Sequence, residues 1–164
     1  MIKPFEPRRG DRKMSNAYVQ NIMHITFHVK EGCAIDTTNI PRLCDYIGGI
    51  IKNQGGVLIA AGGICSHIHL LVTVPKTIAL SDYMMKIKAN SSKWLKSIGS
   101  QYRAFSWQDG YGAFSVSASK IDAVKGYIAN QEEHHRKLSY QEEVEAFFKA
   151  YNLDNVSPLR GSEK

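Results

Sequence analysis

The sequence predicts an α+β fold: a ferredoxin-like antiparallel sheet in the order βαββαβ, with helices on one face and extra C-terminal helices. Two observations support this class. Segments whose apolar side chains alternate with a period of two are interleaved with segments of helical periodicity. After the fourth predicted strand, only helical patterns remain. A sheet covered by helices buries the apolar faces of both kinds of element.

The first half of the chain supplies the strand–helix–strand–strand part of this order. Over residues 22–29 the side chains alternate between two faces, as they do in a strand. Residues 41–53 have apolar side chains at helical spacing, and the glycines that follow end the helix. Residues 57–61 and 67–74 are predicted to be two strands joined by a short turn near Gly62-Gly63.

The second half begins with another helix. Residues 80–98 carry an apolar stripe, and a glycine closes the helix. Residues 113–117 are predicted to be a short strand. A capping-box pattern predicts a third helix that begins at Ser119 and ends at about Arg136, and a better box opens a last helix over residues 139–151.

Length and composition indicate one folded domain. The chain has 164 residues, of which 43% are hydrophobic and 22% charged, as in an ordinary globular protein. We expect a flexible basic tail over residues 1–15, a single domain over 16–153 and a loose tail over 154–164. No apolar run is long enough to span a membrane, the first residues lack a signal-peptide core, and the three cysteines are scattered. The sequence therefore predicts a cytoplasmic protein without a membrane partner.

The charge balance favours a polyanionic partner. The chain has 21 basic and 15 acidic residues, a net charge of +6 and a pI of about 9.2. Phosphate groups bind such proteins because each contact releases a counterion. Many basic proteins bind no nucleic acid, so the identity of the partner depends on the motifs.

A histidine pair is the first motif that carries chemistry. His67 and His69 flank Ile68 at the start of a predicted strand, so both imidazoles project from one face. Two neutral imidazoles placed in this way can share one divalent metal ion. Such pairs also occur by chance on exposed strands. Here an apolar run follows and predicts a buried strand, in which histidines are unfavourable unless they are ligated or hydrogen-bonded.

The third predicted helix carries the second motif. Tyr127 and Gln131 are four residues apart and therefore share one face. A tyrosine hydroxyl can attack a phosphodiester, but a phenol with a pKa near 10 is a weak nucleophile at neutral pH and needs a metal ion at the phosphate. Gln131 could supply an amide oxygen as a third ligand, which suits Mg²⁺ or Mn²⁺. A helix tyrosine is more often a packing residue, so this alternative stays open.

Four segments, in order, resemble the HUH-type single-tyrosine (Y1) transposases of single-stranded-DNA insertion sequences and their REP-associated tyrosine transposase relatives. Residues 63–72 are similar to the family's histidine strand, and residues 85–95 to its second helix. Residues 107–117 resemble its W-Q-x-G-Y-x-x-F segment, and residues 127–135 its tyrosine helix, Y-I-x-N-Q-x-x-H-H. One departure is Cys65-Ser66, where the family often has Pro-Asp.

The resemblance implies a specific activity. It implies that Tyr127 forms a 5′-phosphotyrosine and leaves a 3′-hydroxyl, and that His67, His69 and Gln131 bind one Mg²⁺ or Mn²⁺ ion. It also implies a homodimer that acts on single-stranded DNA with hairpins and needs no nucleotide cofactor. In this family the histidine pair of one subunit commonly faces the tyrosine helix of the other.

Basic residues near these motifs are candidates for contacts to DNA. Those predicted to bind nucleic acid are Lys86, Lys88, Lys93, Arg103, Lys120, Lys125 and Arg136. For any single lysine, a solvated helix face is the better interpretation. The aromatic residues that could stack on unpaired bases are Tyr102, Phe105, Trp107 and Tyr111, although the core is the better interpretation for Trp107 and for Phe114.

Other classes of protein remain open on these grounds. A domesticated relative would use the same chemistry on chromosomal hairpin repeats. A non-catalytic nucleic-acid-binding module would use the charge and the aromatic side chains, but it has no need of the histidine pair or of Tyr127. A structural zinc protein is disfavoured because no cysteine lies at ligand spacing.

Overall fold

The computed structural model describes residues 18–131 and, beyond them, Glu133, Glu142, Glu145, Ala146 and Lys149, all five helical. Its strands are β1 (Ile22–His28), β2 (Val57–Ile64), β3 (His67–Thr73) and β4 (Gly112–Ser115). Its helices are α1 (Ile40–Asn53), α2 (Leu80–Ile98) and α3 (Ile121–Ala129). Short 3-10 turns precede α1 and α3 and follow α2.

The strands form one sheet with the order β2-β3-β1-β4. All neighbouring strands are antiparallel. The central pair β1 and β3 is in register along its whole length, from Ile22 opposite Thr73 to His28 opposite His67. Since the elements follow one another as βαββαβ with α3 after β4, the predicted ferredoxin-like fold is confirmed.

Helices α1 and α2 cover one face of the sheet. Ile25 and Phe27 of β1 and Ile68 and Leu70 of β3 point to this face and are fully buried. Burial of each such side chain stabilises the fold by about 1.5–3 kcal/mol. Neighbouring residues of a strand point to opposite faces of the sheet. The residues of β1 and β3 that alternate with these core residues therefore point away from α1 and α2.

Helix α3 packs on the opposite face of the sheet, over a smaller apolar cluster. Ile22, Leu71 and Ile128 are its buried members, and Val124 and Tyr127 pack against them. The sheet therefore separates α1 and α2 on one side from α3 on the other.

The turn between β2 and β3 differs from the sequence prediction. It is formed by residues 65–66, whereas Gly62 and Gly63 lie inside β2. Gly62 pairs with His69 across the sheet, and a β-carbon on Gly62 would lie 2.8 Å from the carbonyl oxygen of Ile128. The prediction was wrong because this glycine permits the close approach of α3 rather than a change of chain direction.

The start of α3 also differs from the prediction. Residues 118–120 form a 3-10 turn, and Lys120, which makes no side-chain cap, precedes the helix. The hydroxyl groups of Ser117 and Ser119 form a hydrogen bond, with their oxygens 3.2 Å apart. The capping box predicted at Ser119 is therefore not formed.

Several sequence predictions fall on other parts of the chain. The prediction of one continuous third helix was wrong, because α3 ends at Ala129 and Asn130 forms a turn. Gln131 and Glu133 are helical, and the rest of the predicted continuation to Arg136 lies outside the described residues. The capping box at Ser139 lies outside them as well, although the described residues between 142 and 149 are helical, as predicted. The predicted tails over residues 1–15 and 154–164 also lie outside them.

No helix within the described residues combines the length and the apolar character that crossing a membrane requires.

Candidate active site

The two predicted histidines lie side by side on β3. His67 and His69 are each 1% exposed, and their ring centroids are 4.8 Å apart with the planes nearly perpendicular. Ile68, between them, is buried in the core on the other face, beneath α1 and α2. The prediction that both imidazoles share one face is thus confirmed, because the apolar residues of β3 fix its orientation.

Strand β1 contributes two further histidines to the same face, which the sequence motifs did not include. His28 lies opposite His67, and their ring centroids are 4.8 Å apart. His24 is 1% exposed, and its ring centroid lies 5.2 Å from that of His69. The signal was present in the sequence, since His24 and His28 alternate with the apolar residues of β1 that enter the core.

A polar neighbour lies beside the Nδ1 atom of each β3 histidine. The Nδ1 atom of His67 is 3.0 Å from the hydroxyl oxygen of Ser66. The Nδ1 atom of His69 is 3.0 Å from the Nε2 atom of His24. Both distances are those of hydrogen bonds, so each β3 histidine is held in orientation by a group next to it.

Helix α3 and the residues directly after it place Tyr127 and Gln131 at the histidine pair. Gln131 is 2% exposed; its Oε1 atom lies 3.4 Å from Nε2 of His67, and its amide group donates to the Tyr127 carbonyl oxygen at 3.4 Å. The Tyr127 ring is half-buried and edge-on to two imidazoles, with centroids 5.6 Å from His69 and 6.0 Å from His24. The structure thus brings the predicted nucleophile and all three predicted metal ligands together within one chain.

The position of Tyr127 above the sheet depends on its neighbour. Ile128 is 2% exposed and packs in the apolar cluster with Leu71, and its backbone lies directly over Gly62 of β2. Since Ile128 follows Tyr127 in the helix, this contact sets the distance between the tyrosine and the histidine face.

The donor atoms fit a single divalent ion. Two adjacent ligands of an octahedral ion at about 2.1 Å lie about 3 Å apart. The Nε2 atom of His67 and the Oε1 atom of Gln131 are 3.4 Å apart, close to that separation. Among the described residues, no group of three histidine, cysteine, aspartate or glutamate side chains could hold a metal ion. Gln131 could extend the histidine pair to a mixed nitrogen–oxygen set of the kind that suits Mg²⁺ or Mn²⁺, and its role as a ligand stays a prediction.

The residues predicted to bind nucleic acid lie on both sides of the sheet. Lys120 and Lys125 are exposed, just before α3 and on it, and so share the side of the histidines. Lys86 and Lys93 are exposed on α2, on the opposite side, and Arg103 is exposed in the turn that follows α2. The contact of each of these residues with DNA stays a prediction.

Lys88 and Arg136 are the other two residues predicted to bind DNA. The ammonium group of Lys88 donates to the carbonyl oxygens of Gln108 at 2.6 Å and Gly110 at 2.8 Å, and so ties α2 to the loop before β4. Burial lowers the pKa of Lys88, and the nearby Asp109 carboxylate opposes this shift. Sequence patterns gave no sign of this structural role. Arg136 lies outside the described residues.

Three of the four aromatic residues predicted to stack on bases are core residues. Tyr102, Phe105 and Trp107 are 2%, 3% and 6% exposed. The indole N–H of Trp107 donates to the Ser91 hydroxyl at 3.0 Å, which fixes the ring beneath α2. The stacking prediction is therefore wrong for Tyr102 and Phe105, because their segment closes the core, whereas the core position favoured for Trp107 is confirmed. Tyr111 is half-buried.

The fold and the site together define a class of protein: a ferredoxin-like α+β domain whose sheet presents a histidine pair to a tyrosine on a packed helix. The profile of the family described as "Transposase IS200 like" matches residues 17–131, more than two thirds of the chain. This chain belongs to the IS200-like transposase family, and so to a family of DNA-cleaving enzymes.

Two solved structures share the fold. A Deinococcus radiodurans R1 protein, classed provisionally as a transposase, is 20% identical with a TM-score of 0.55, covering 73% of this chain and 97% of its own. A REP-associated tyrosine transposase bound to a REP hairpin is 12% identical with a TM-score of 0.54, covering 90% of this chain and 89% of its own. No curated protein sequence matches the chain at a significant level.

Proposed function

We propose that this protein cleaves and rejoins single-stranded DNA through a covalent phosphotyrosine at Tyr127. The observation that supports the proposal is the contact between the end of α3 and the histidine face of β3. Tyr127 on α3 and Gln131, just beyond the end of α3, lie against a buried histidine pair. Gln131 Oε1 is 3.4 Å from His67 Nε2, and the Tyr127 ring is 5.6 Å from that of His69. A purely structural tyrosine has no need of such neighbours.

The proposed reaction is a transesterification. The Tyr127 oxygen forms a bond to the scissile phosphorus, and the bond from phosphorus to the 3′-oxygen breaks. The phenol loses its proton, and the departing 3′-oxygen gains one, so a 5′-phosphotyrosine and a 3′-hydroxyl result. Because the phosphodiester energy is kept in the new ester, a second 3′-hydroxyl can reverse the reaction without a nucleotide cofactor.

We propose that His67, His69 and Gln131 hold the divalent ion, Mg²⁺ or Mn²⁺. When bound, the ion would polarise the scissile phosphate and neutralise charge that develops during the attack. The protein's own contribution is orientation. The buried amide of Gln131 donates a hydrogen bond to the Tyr127 carbonyl oxygen, and this contact at the end of α3 would hold the proposed ligand and the proposed nucleophile in fixed relation.

The DNA substrate that we propose is single-stranded and carries hairpins at the ends of a mobile element. The net charge of +6 supports a polyanionic substrate. Lys120 and Lys125 lie on the side of Tyr127, where an unpaired strand would have to pass. The structure of the REP-associated tyrosine transposase, which shares the fold, was solved with a REP hairpin bound.

We further propose that the protein acts as a homodimer in the cytoplasm. Each chain has a single Tyr127, and one tyrosine can hold only one strand end at a time. Excision of an element requires two cleavages, so two subunits would have to cooperate.

Formation of a covalent adduct tests the proposal directly. Labelled single-stranded DNA carrying the hairpins that flank the gene would be incubated with the protein and Mn²⁺ or Mg²⁺, then analysed on a denaturing gel. We expect an adduct with the wild type and none with Tyr127→Phe or with chelator present. Tyr111→Phe, which alters a half-buried tyrosine of the loop before β4, is the matched control and should still form the adduct.

The binding-only alternative predicts a different result. A non-catalytic module would bind the same DNA equally well with His67→Ala and with chelator, and no variant would form an adduct. That outcome, with intact folding of the wild type, would rule out the proposed chemistry for this chain.

A further inference from the structure

We infer that His24 is a positioning residue that sets the tautomer of His69, so that His69 offers its Nε2 lone pair to the metal. Neither the histidine motif nor the predicted ligand set includes His24. The inference rests on the proposed function, because it assigns His24 a role toward the metal that His69 is proposed to bind.

The geometry of the two rings supports this role. The Nε2 atom of His24 and the Nδ1 atom of His69 are 3.0 Å apart, and both side chains are 1% exposed. A hydrogen bond at this distance, away from water, holds both rings in one orientation. The ring planes are inclined by 38°, so the contact is directed from nitrogen to nitrogen rather than being a stacking of the two faces.

The strand register explains why His24 makes this contact. Thr26 lies directly opposite His69, and His24 lies opposite Leu71, two residues further along each strand. Diagonal neighbours on the same face of an antiparallel pair are within reach of long side chains. His24 spans that diagonal, whereas the shorter side chain of Thr26 makes no hydrogen bond through its buried hydroxyl in the described part of the chain.

A neutral imidazole has one N–H group and one lone pair, so the bond to His24 determines what His69 can do. If Nδ1 of His69 donates to His24, the lone pair of His69 is on Nε2, where it can bind a cation. If His24 donated instead, His69 would carry its proton on Nε2 and would repel a cation there. Groups that accept from the second nitrogen of a ligating histidine commonly perform this function in metal sites.

His67 shows the same arrangement with a different partner. Its Nδ1 atom is 3.0 Å from the hydroxyl oxygen of Ser66, while its Nε2 atom is the one that faces Gln131. Each proposed histidine ligand thus has a neighbour on Nδ1. For His67 the neighbour comes from the turn beside it, and for His69 it comes from the adjacent strand.

The tautomer of His69 can be measured without any metal. Long-range nitrogen–proton NMR correlations of metal-free, uniformly labelled protein under mildly alkaline conditions distinguish the two neutral tautomers of each histidine. We expect His69 to carry its proton on Nδ1 in the wild type. We expect the same in His24→Gln, whose amide oxygen can accept, and a mixture of tautomers in His24→Leu. Protonation of His69 on Nε2 in the wild type would overturn the inference.

Metal affinity supplies the second measurement. Calorimetric titration with Mn²⁺ should show binding about 10–100-fold weaker for His24→Leu, and recovery to within a few-fold of wild type for His24→Gln. The control is Asn90→Ala, which alters an exposed side chain of α2 on the other side of the sheet and should bind Mn²⁺ as the wild type does. Unchanged affinity in a folded His24→Leu protein would contradict the positioning role.

A third pattern would assign His24 a different role. Equal loss of Mn²⁺ affinity in His24→Gln and His24→Leu, with the His69 tautomer retained in His24→Gln, would make His24 a direct ligand and overturn the inference. Failure of the wild type to bind Mn²⁺ would count against the proposed metal chemistry, and the NMR result would still decide what His24 does to His69.

Discussion

The carbonyl oxygen of Ile128 lies so close to Gly62 that a β-carbon on that glycine would stand only 2.8 Å from it. Helix α3 and strand β2 therefore touch through backbone atoms, without a side chain between them. Since Ile128 follows Tyr127, the absence of a side chain at Gly62 determines where the proposed nucleophile lies.

The first prediction concerns Gly62→Ala. The added methyl group would push α3 from the sheet, destabilise the fold by about 1–3 kcal/mol and lower adduct formation by more than the loss of folded protein explains. Urea unfolding and the adduct assay would measure the two effects. Gly49→Ala, on an open face of α1 with nothing within 4 Å, is the control and should stabilise the protein by about 0.5–1 kcal/mol. Wild-type stability and activity in Gly62→Ala would show that α3 does not depend on this contact.

The second prediction concerns the third metal ligand. Gln131→Ala removes the oxygen 3.4 Å from His67 Nε2 and should weaken Mn²⁺ binding about 10-fold or more, with a parallel loss of adduct. Gln131→Glu keeps an oxygen at this position and adds a negative charge, so it should bind Mn²⁺ at least as tightly as the wild type. Calorimetry with both variants measures the difference. Equal affinity in Gln131→Ala and the wild type would remove Gln131 from the ligand set.

The third prediction separates packing from base stacking at Trp107. Trp107→Phe deletes the indole N–H that donates to Ser91 at 3.0 Å, and it leaves a small cavity in the core. We expect a loss of about 1–3 kcal/mol of stability with unchanged affinity for unpaired DNA once the folded fraction is accounted for. Thermal unfolding and fluorescence anisotropy measure the two quantities. Reduced DNA affinity at full stability would restore the stacking role.

The fourth prediction concerns alkaline stability. Burial raises the pKa of Tyr83 to about 12, whereas a tyrosine in the unfolded chain ionises near pH 10. The stability that depends on neutral Tyr83 is therefore complete below about pH 10 and is lost as the pH rises from there to about 12. Tyr83→Phe should remove this part of the alkaline loss. At neutral pH it should cost about 1 kcal/mol, because the hydroxyl donates to the Thr73 carbonyl oxygen at 3.4 Å.

Urea unfolding across this pH range, together with the ultraviolet absorbance of the phenolate, tests the fourth prediction. Tyr18→Phe is the control, because Tyr18 is fully exposed in the structure and its loss should leave stability unchanged. If wild type and Tyr83→Phe lose stability in parallel above pH 10, the assignment to Tyr83 is wrong.

The fifth prediction concerns the path of the unpaired strand. Lys125→Ala, on the side of Tyr127, should weaken binding of a short unstructured DNA strand and lower the salt slope of its binding constant by about 0.7. Lys86→Ala removes the same charge from α2 on the opposite side of the sheet and should have little effect on this substrate. Titrations at several salt concentrations measure both slopes. Equal effects of the two variants would mean that the strand does not follow the α3 side.

The sequence was most informative where periodicity was strong. Helix α2 runs from Leu80 to Ile98, as its apolar stripe and closing glycine predicted. The alternation in β3 placed His67 and His69 on one face, and the four-residue spacing placed Gln131 beside Tyr127. The geometry of α2 and of β3 lies within a single element, and Tyr127 and Gln131 are close neighbours along the chain, so a local pattern can determine each of these features.

The misassigned features depend on contacts between elements. The sequence predicts a turn at Gly62, because only the packing of α3 shows why a glycine is needed inside β2. The stacking expected of Phe105 is wrong because Phe105 is buried in a core that combines residues of the sheet, α1 and α2. His24 was not singled out because its partner, His69, lies 45 residues further along the chain.

Alternate residues of strand β3 have different roles, one in the core and one in the proposed site. Ile68, Leu70 and Val72 pack in the core beneath α1 and α2, whereas His67 and His69 point to the opposite face, where the proposed active site lies. A slip of one residue in the pairing of this strand would bury both imidazoles among aliphatic side chains, so the core selects against such a slip without any help from the site. Substitutions at the histidine positions consequently need not disturb the core positions of the same strand. A copy of this chain with His67 or His69 replaced could therefore keep the sheet and persist as a folded protein.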